Sequence, residues 1–281
     1  MGNNFMKNSF KIAACQMMVI DNKEVNVNKA VSMIKEAAQN NAKLVILPEM
    51  FNCPYDNQKF REYSENRENS KTLEALKKSA IECKIFLVAG SIPESEDEKI
   101  YNSSFIISPE GKLIGFHRKL HLFDIDVPDG IAFKESEIIS PGSDITVINT
   151  ELCKLGVAIC YDLRFPELFR LMTLKGVELM VIPGAFNMTT GPAHWDPINR
   201  ARAIDNQVYL AAVSPARNKN ASYEAYGHSM IIDPWGEVLA QAGFSEEIIY
   251  AEIEISHLKE IRNQIPLLRN RRSDIYDVIE K

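Results

Sequence analysis

Three residues of this 281-residue chain stand where chemistry could be done: a thiol, a carboxylate and an ammonium, each at the end of a strand-like run. Cys160 closes the apolar run Gly156-Val157-Ala158-Ile159 and lies a few residues before Pro166, a residue type favoured at the first position of a helix. Open α/β sheets hold their ligands at the carboxyl ends of strands, and nearby cations or helix N-termini activate a thiol there. A free cysteine in such a place is either a nucleophile or a small buried core residue. Cys153, seven residues earlier and at the other end of the run, is the plain comparison. Glu49 follows Leu44-Val45-Ile46-Leu47-Pro48. It is either a desolvated carboxylate with a raised pKa, suited to proton transfer, or a surface loop residue. Lys119 closes a hairpin strand, where its ammonium either steadies an oxyanion or is simply solvated. Together the three make one mechanism. The thiol attacks a carbonyl carbon, the carboxylate moves protons and the lysine holds the tetrahedral oxyanion.

Competing motifs fail on their own chemistry. His117 and His121 have the i, i+4 spacing of metalloproteases, but Arg118, Lys119 and Leu120 lie between them. There is no glutamate base, and two cations repel a metal, so no metal is expected. Gly227-His228-Ser229-Met230-Ile231 is half a nucleophile elbow without its second glycine. With no GxGxxG and no GxxxxGK, neither a dinucleotide nor ATP has a cradle, and no cofactor is expected. A net charge of −6 argues against nucleic acid, which needs clustered cations. The one basic cluster, Arg269, Arg271 and Arg272, is either a solvated or interface tail or an anion site. No run approaches the length of a membrane span, and 46% hydrophobic residues are enough to build an ordered core. Five cysteines without a CxxC cannot all pair, and the opening MGNNFMKNS has no apolar leader. Gly2 invites myristoylation, but Met6 stands where Ser or Thr is preferred. Free thiols in the cytoplasm follow.

The elements that must position these groups alternate between strand and helix. The patterning predicts strands over 10–17, 44–47 and 85–89, helices over 27–38 and 71–82, and a hairpin of 101–107 with 112–117. It then starts again, with strands over 155–159, 178–182 and 208–213 and helices over 166–174 and 195–205. A hairpin of 228–232 with 238–240 and a strand over 248–253 complete it. Letters repeat as well as pattern. Leu44-Val45-Ile46-Leu47-Pro48 echoes Leu179-Met180-Val181-Ile182-Pro183, 135 residues on, and Ile107-Ser108-Pro109-Glu110-Gly111 echoes Ile232-Asp233-Pro234-Trp235-Gly236, 125 residues on. A sheet covered by helices on one face, and repeated, buries its other face against its twin. The expected fold is an α/β, four-layer α-β-β-α sandwich with an internal pseudo-twofold repeat. The loop 120–142, with Pro128, Gly130 and Pro141, is long enough to be functional.

On these segments the chain resembles the nitrilase superfamily of carbon–nitrogen hydrolases. The matching blocks are Leu47-Pro48-Glu49-Met50-Phe51, His117-Arg118-Lys119-Leu120-His121-Leu122 and Ile159-Cys160-Tyr161-Asp162-Leu163-Arg164-Phe165-Pro166-Glu167. The resemblance implies a Glu49–Lys119–Cys160 triad and the same sandwich. It also implies a second glutamate, Glu135, that bonds the lysine, and a Tyr161 N–H that completes the oxyanion hole. One hydrolase domain over 1–281 is expected, with a core of about 10–255 and an arm of about 256–281. Within the family the likeness is greatest to the omega-amidase branch, carried by Phe123-Asp124-Ile125-Asp126-Val127-Pro128, Gly184-Ala185-Phe186-Asn187 and Ser214-Pro215-Ala216-Arg217.

The resemblance implies hydrolysis of the terminal amide of a small dicarboxylate monoamide, such as alpha-ketoglutaramate or alpha-ketosuccinamate, through a Cys160 thioester. The alternatives are deaminated-glutathione amidase and a catalytically silent binding protein of the same fold. The substrate's far carboxylate needs a charged or polar partner. Arg164 is one candidate, unless it holds Glu167 or the loop, and Thr190 is another. His194 is read as a cap or packing residue and Trp195 as core or interface. Ile265-Pro266-Leu267-Leu268 suits an arm reaching a second copy, so a homodimer or higher homo-oligomer is expected, or else the arm folds back on its own subunit.

Overall fold

A computed structural model describes residues 9–128 and 131–281. The opening segment before Ser9, with Gly2 and Met6, and Gly130 of the long loop lie outside the described residues.

The first sheet runs β16 (Glu247–Glu254), β1 (Ser9–Gln16), β2 (Leu44–Ile46), β4 (Phe86–Val88), β6 (Lys99–Ile107), β5 (Ile92–Glu96) and β3 (Glu65–Asn66), with β7 (Leu113–Arg118) also paired to β6. The second runs β10 (Thr146–Asn149), β11 (Lys154–Val157), β12 (Leu179–Pro183), β13 (Tyr209–Val213), β14 (Met230–Ile232) and β15 (Val238–Gln241). A small pair, β8 (Asp124–Asp126) and β9 (Ala132–Lys134), lies apart. Both large sheets follow one plan. An antiparallel edge strand is followed by three parallel strands, β1-β2-β4 or β11-β12-β13, and then by an antiparallel hairpin. The hairpins even share a bulge, between Ile106 and Ile107 in one and Ile231 and Ile232 in the other. The repeated letters mark a repeated fold.

Alternation along each strand builds the layers, because successive side chains point to opposite faces. Phe10, Ile12, Ala14, Leu44 and Ile46 meet Leu155, Val157, Leu179, Val181 and Tyr209 between the sheets. The intervening Ala13, Cys15, Val45 and Leu47 pack against α1 (Lys23–Gln39) and α3 (Lys71–Cys83). Met180, Ile182, Leu210 and Ala212 pack against α4 (Pro166–Leu174) and α5 (Gly191–Asn206) on the far side. Strands buried on both faces read as continuous apolar runs, and each fully buried Leu or Ile contributes about 2 kcal/mol. Helix starts follow from caps: Asn22 Oδ1 accepts from Val25 N at 3.1 Å and Ser70 Oγ from Leu73 N at 2.9 Å.

Several elements go beyond the patterning. α2 (Asn57–Tyr63), β3, β5 and β10 carry no clear period, and β5 contains Pro93. The loop 120–142 holds β8, β9 and a 3-10 turn, Glu135–Glu137. α5 begins at Gly191 rather than at Trp195, so His194 lies inside its first turn rather than before it. The C-terminal arm opens with a helix, α6 (Ile255–Gln264), whose Leu258 and Ile261 are buried. Arg262 Nε donates to Gln207 O at 3.0 Å and Gln207 Nε2 to Ile265 O at 2.7 Å, which ties the arm's start to its own subunit. Ile265 and Leu267 remain exposed. No helix among the described residues is long and apolar enough to cross a membrane.

Gly90 links this frame to the Glu49 segment. It has φ +37°, and an added Cβ would stand 2.1 Å from Pro48 O. The next residue, Ser91, donates its N–H to Pro48 O at 3.2 Å, and its Oγ accepts from Met50 N at 3.0 Å. Gly90→Ala is expected to destabilise the protein by about 3 kcal/mol in denaturant unfolding, from backbone strain plus overpacking. An unchanged midpoint would show that the Pro48–Gly90 contact is not fixed.

Candidate active site

The carboxyl ends of strands from both sheets converge on one buried cluster. β2 leads into Glu49, β7 into Lys119, β11 into Cys160 and β12 into Ala185. Glu49, Lys119 and Glu135 are fully buried, and Cys160 is 3% exposed. The loop carboxylate and the solvated ammonium that the sequence left open are therefore excluded by burial.

Lys119 Nζ has three acceptors for its three protons: Glu135 Oε2 at 2.9 Å, Glu49 Oε1 at 3.0 Å and Tyr55 OH at 3.2 Å. Asn102 Nδ2 donates to Glu49 Oε1 at 2.9 Å and to Glu135 Oε1 at 3.2 Å, so one amide joins the two carboxylates. Phe123 N donates to Glu135 Oε2 at 2.7 Å. Ala185 N donates to Glu49 Oε2 at 2.8 Å and reaches Cys160 Sγ at 3.4 Å. One amide of the second half thus touches both the carboxylate of the first half and the thiol. Tyr223 OH holds the Ala185 carbonyl.

The electrostatics follow from burial. Burial pushes the Glu49 carboxyl up; Lys119 pulls it back and Glu135 pushes it up again, leaving it above the ordinary carboxylate range. Burial would pull Lys119 down, but Glu135 and Glu49 outweigh it and its pKa is raised. Burial also pushes the Cys160 thiol well up, Glu49 adds to that, and Lys119 opposes it. The resting thiol is therefore protonated, and it shares the Ala185 amide with Glu49. Such a site can pass the thiol proton to a carboxylate of raised pKa beside a fixed ammonium. Cys153 is also buried and raised by burial, but it packs in the core between the sheets.

Cys160 has φ +46° and opens a 3-10 helix, Cys160–Arg164. The Tyr161 amide lies in its first turn, where amides lack intrahelical partners. The Tyr161 ring packs edge-on to Phe123 at 5.4 Å. Arg164 and Thr190 are not drawn into the cluster. Arg164 Nη1 meets His194 Nδ1 at 3.1 Å, rather than Glu167, and Thr190 Oγ1 donates to Asn187 Oδ1 at 3.3 Å. A cavity of about 280 Å³ reaches Glu49, Tyr55, Ala185 and Tyr223, and neither Arg164, Thr190 nor the thiol lies in its wall. His117 and His121 both face Asp162. Sequence reasoning missed Tyr55, Asn102, Ala185 and Asp162. Asn102 left one trace, a polar Asn102-Ser103-Ser104 run inside an apolar strand.

The sequence pattern of carbon–nitrogen hydrolases matches residues 11–263. The chain belongs to the carbon–nitrogen hydrolase family, the nitrilase superfamily. It is 53% identical to an omega-amidase NIT2 of Xenopus tropicalis over 97% of this chain and 98% of that one. To the human omega-amidase NIT2 it is 50% identical over 96% and 98%. The crystal structure of Saccharomyces cerevisiae Nit3, a nitrilase-superfamily member, superposes with TM-score 0.86 at 44% identity, covering 94% of this chain and 97% of that one. This carbon–nitrogen hydrolase is an amide-cleaving enzyme by family, on the family's sandwich fold.

Glu49 raises the thiol pKa, so its removal must lower it. In Glu49→Gln the pH profile of Cys160 alkylation by iodoacetamide, mapped by peptide mass spectrometry, should move to lower pH. Amide turnover should fall at least ~100-fold for want of the proton carrier. An alkylation profile that stays or moves to higher pH would show that Glu49 does not face the thiol as a charge.

Proposed function

We propose that this protein is an omega-amidase. It hydrolyses the terminal amide of a small dicarboxylate monoamide, alpha-ketoglutaramate or alpha-ketosuccinamate, and releases ammonia. The observation that carries this reading is likeness at 50–53% identity, along nearly whole chains, to relatives named omega-amidases. The buried contact of Glu49 with Lys119 and of Ala185 N with Cys160 Sγ supports the chemistry.

In the proposed mechanism Cys160 Sγ bonds to the amide carbon while its proton passes to Glu49. Lys119 and the Tyr161 N–H hold the oxyanion. The C–N bond then breaks, Glu49 returns the proton to nitrogen and ammonia leaves a thioester on Cys160. Glu49 next takes a proton from water, the hydroxide adds to the thioester carbon and the C–S bond breaks. The thiolate recovers the proton, and one carboxylate serves both half-reactions. Glu135 and Tyr55 keep Lys119 in place throughout. Copies of the chain are proposed to associate as a homodimer or higher homo-oligomer through the exposed Ile265 and Leu267, in the cytoplasm. Light scattering on the purified protein should give at least twice the chain mass, and one chain mass would reject this.

Ammonia release should be measured from alpha-ketoglutaramate and deaminated glutathione, with wild type and Cys160→Ala. Preferred turnover of alpha-ketoglutaramate, lost in the variant, is expected. Preference for deaminated glutathione would keep the nucleophile and overturn the substrate. Silence on both would favour the binding-protein alternative.

A further inference from the structure

Asp162 is a fully buried carboxylate that the mechanism above does not use. It accepts from four donors. Oδ2 takes Ile159 N at 3.0 Å and His117 Nε2 at 3.1 Å. Oδ1 takes His121 N at 2.9 Å and His121 Nδ1 at 2.7 Å. An ionised carboxylate only accepts, so each imidazole presents its N–H to it. These partners pull Asp162 well below the ordinary carboxylate range against the effect of burial.

The places of these donors in the chain matter more than their number. Ile159 is the residue before the nucleophile. His117 and His121 stand two residues before and two after Lys119. One side chain therefore grips the backbone next to Cys160 and the chain on both sides of Lys119. A helix cap would need only the bond to Ile159 N; the two histidines tie the cap across to the other sheet. His117 is itself fixed, with Nδ1 at 3.0 Å from Thr146 Oγ1. The held segment includes Cys160 at φ +46°, a backbone conformation that costs about 1–3 kcal/mol and persists only where its surroundings impose it.

We propose that Asp162, through His117 and His121, is a positioning residue that sets the separation of Lys119 and Cys160. It touches neither substrate nor the reacting atoms. The inference rests on the amidase reading only for its turnover test. Asp162→Asn keeps the shape, but whichever way the amide turns, one pair of donors then faces an NH₂ group.

The test compares folded wild type, Asp162→Asn, His121→Phe and His121→Asn by thermal melt, by kcat and KM on alpha-ketoglutaramate, and by the rate of Cys160 alkylation with iodoacetamide at one pH. His121 stacks on Phe165, with centroids 3.6 Å apart. His121→Phe keeps the ring and loses the donor, while His121→Asn restores a donor without the ring. Asp162→Asn should lower kcat about 100-fold with KM within about threefold, as expected for a catalytic group displaced by an ångström. Alkylation should slow about tenfold as Lys119 moves off the thiolate. His121→Phe should lose about tenfold in kcat, and His121→Asn should recover most of that loss. A purely structural role predicts a lower melting temperature with kcat and alkylation within about twofold, or better activity in His121→Phe than in His121→Asn; either result overturns the proposal. If Asp162→Asn does not fold, the His121 pair decides. If wild type releases no ammonia, the omega-amidase reading falls and the alkylation rates alone decide the positioning role.

Discussion

A lysine ammonium sealed from water is the constraint around which this molecule is built. An unpaired buried charge costs several kcal/mol even after relaxation, and the cost is met only by close partners in good geometry. Lys119 has three, and two of them are themselves charged carboxylates that need donors of their own. Asn102, Phe123 N and Ala185 N supply these. Each requirement recruits a different part of the chain: a strand interior for Asn102, the long loop for Phe123 and Glu135, the second half for Ala185. The cluster carries two potential anions and one cation, and that surplus, with burial, keeps Glu49 easy to protonate and Cys160 hard to ionise. Stability and reactivity thus have one source.

The doubled architecture explains how such a cluster can assemble. Equivalent strands β2 and β12 end in the same apolar-proline run, Leu47-Pro48 and Ile182-Pro183. After the first comes the carboxylate; after the second comes Gly184 and the amide that meets it. Two copies of one plan, packed through a common apolar layer, bring strand ends with different chemistry to one place. Strand ends from both sheets carry Glu49, Lys119, Cys160 and Ala185, and the long loop adds Glu135 and Phe123 to them.

What was legible in the sequence follows from range. Continuous apolar runs, helical spacing and Pro-Gly turns are local signals, and with the letters repeated 125 and 135 residues apart they made the sandwich and its repeat legible. Glu49, Lys119 and Cys160 were legible as residue types at strand ends; burial excludes a surface Glu49 and a solvated Lys119, and Cys160 differs from the buried Cys153 by sharing the Ala185 amide with Glu49. Asp162 and Tyr55 were not legible as parts of the site, because their roles lie in contacts between segments far apart in sequence, such as Tyr55 with Glu135. Short elements such as α2 and β5 were missed because seven polar-rich residues, or a strand with an internal proline, give too little period. Arg164 was legible as a cation near Cys160, but its geometry was not: the side chain turns to His194.

The most direct measurement of the central claim is acid quench of wild-type enzyme within milliseconds of mixing with alpha-ketoglutaramate, followed by intact and peptide mass spectrometry. An added mass equal to the substrate less ammonia, on the peptide containing Cys160, is the predicted result. Ammonia release with Cys160 unmodified at every quench time, or an adduct on another residue, would contradict the account.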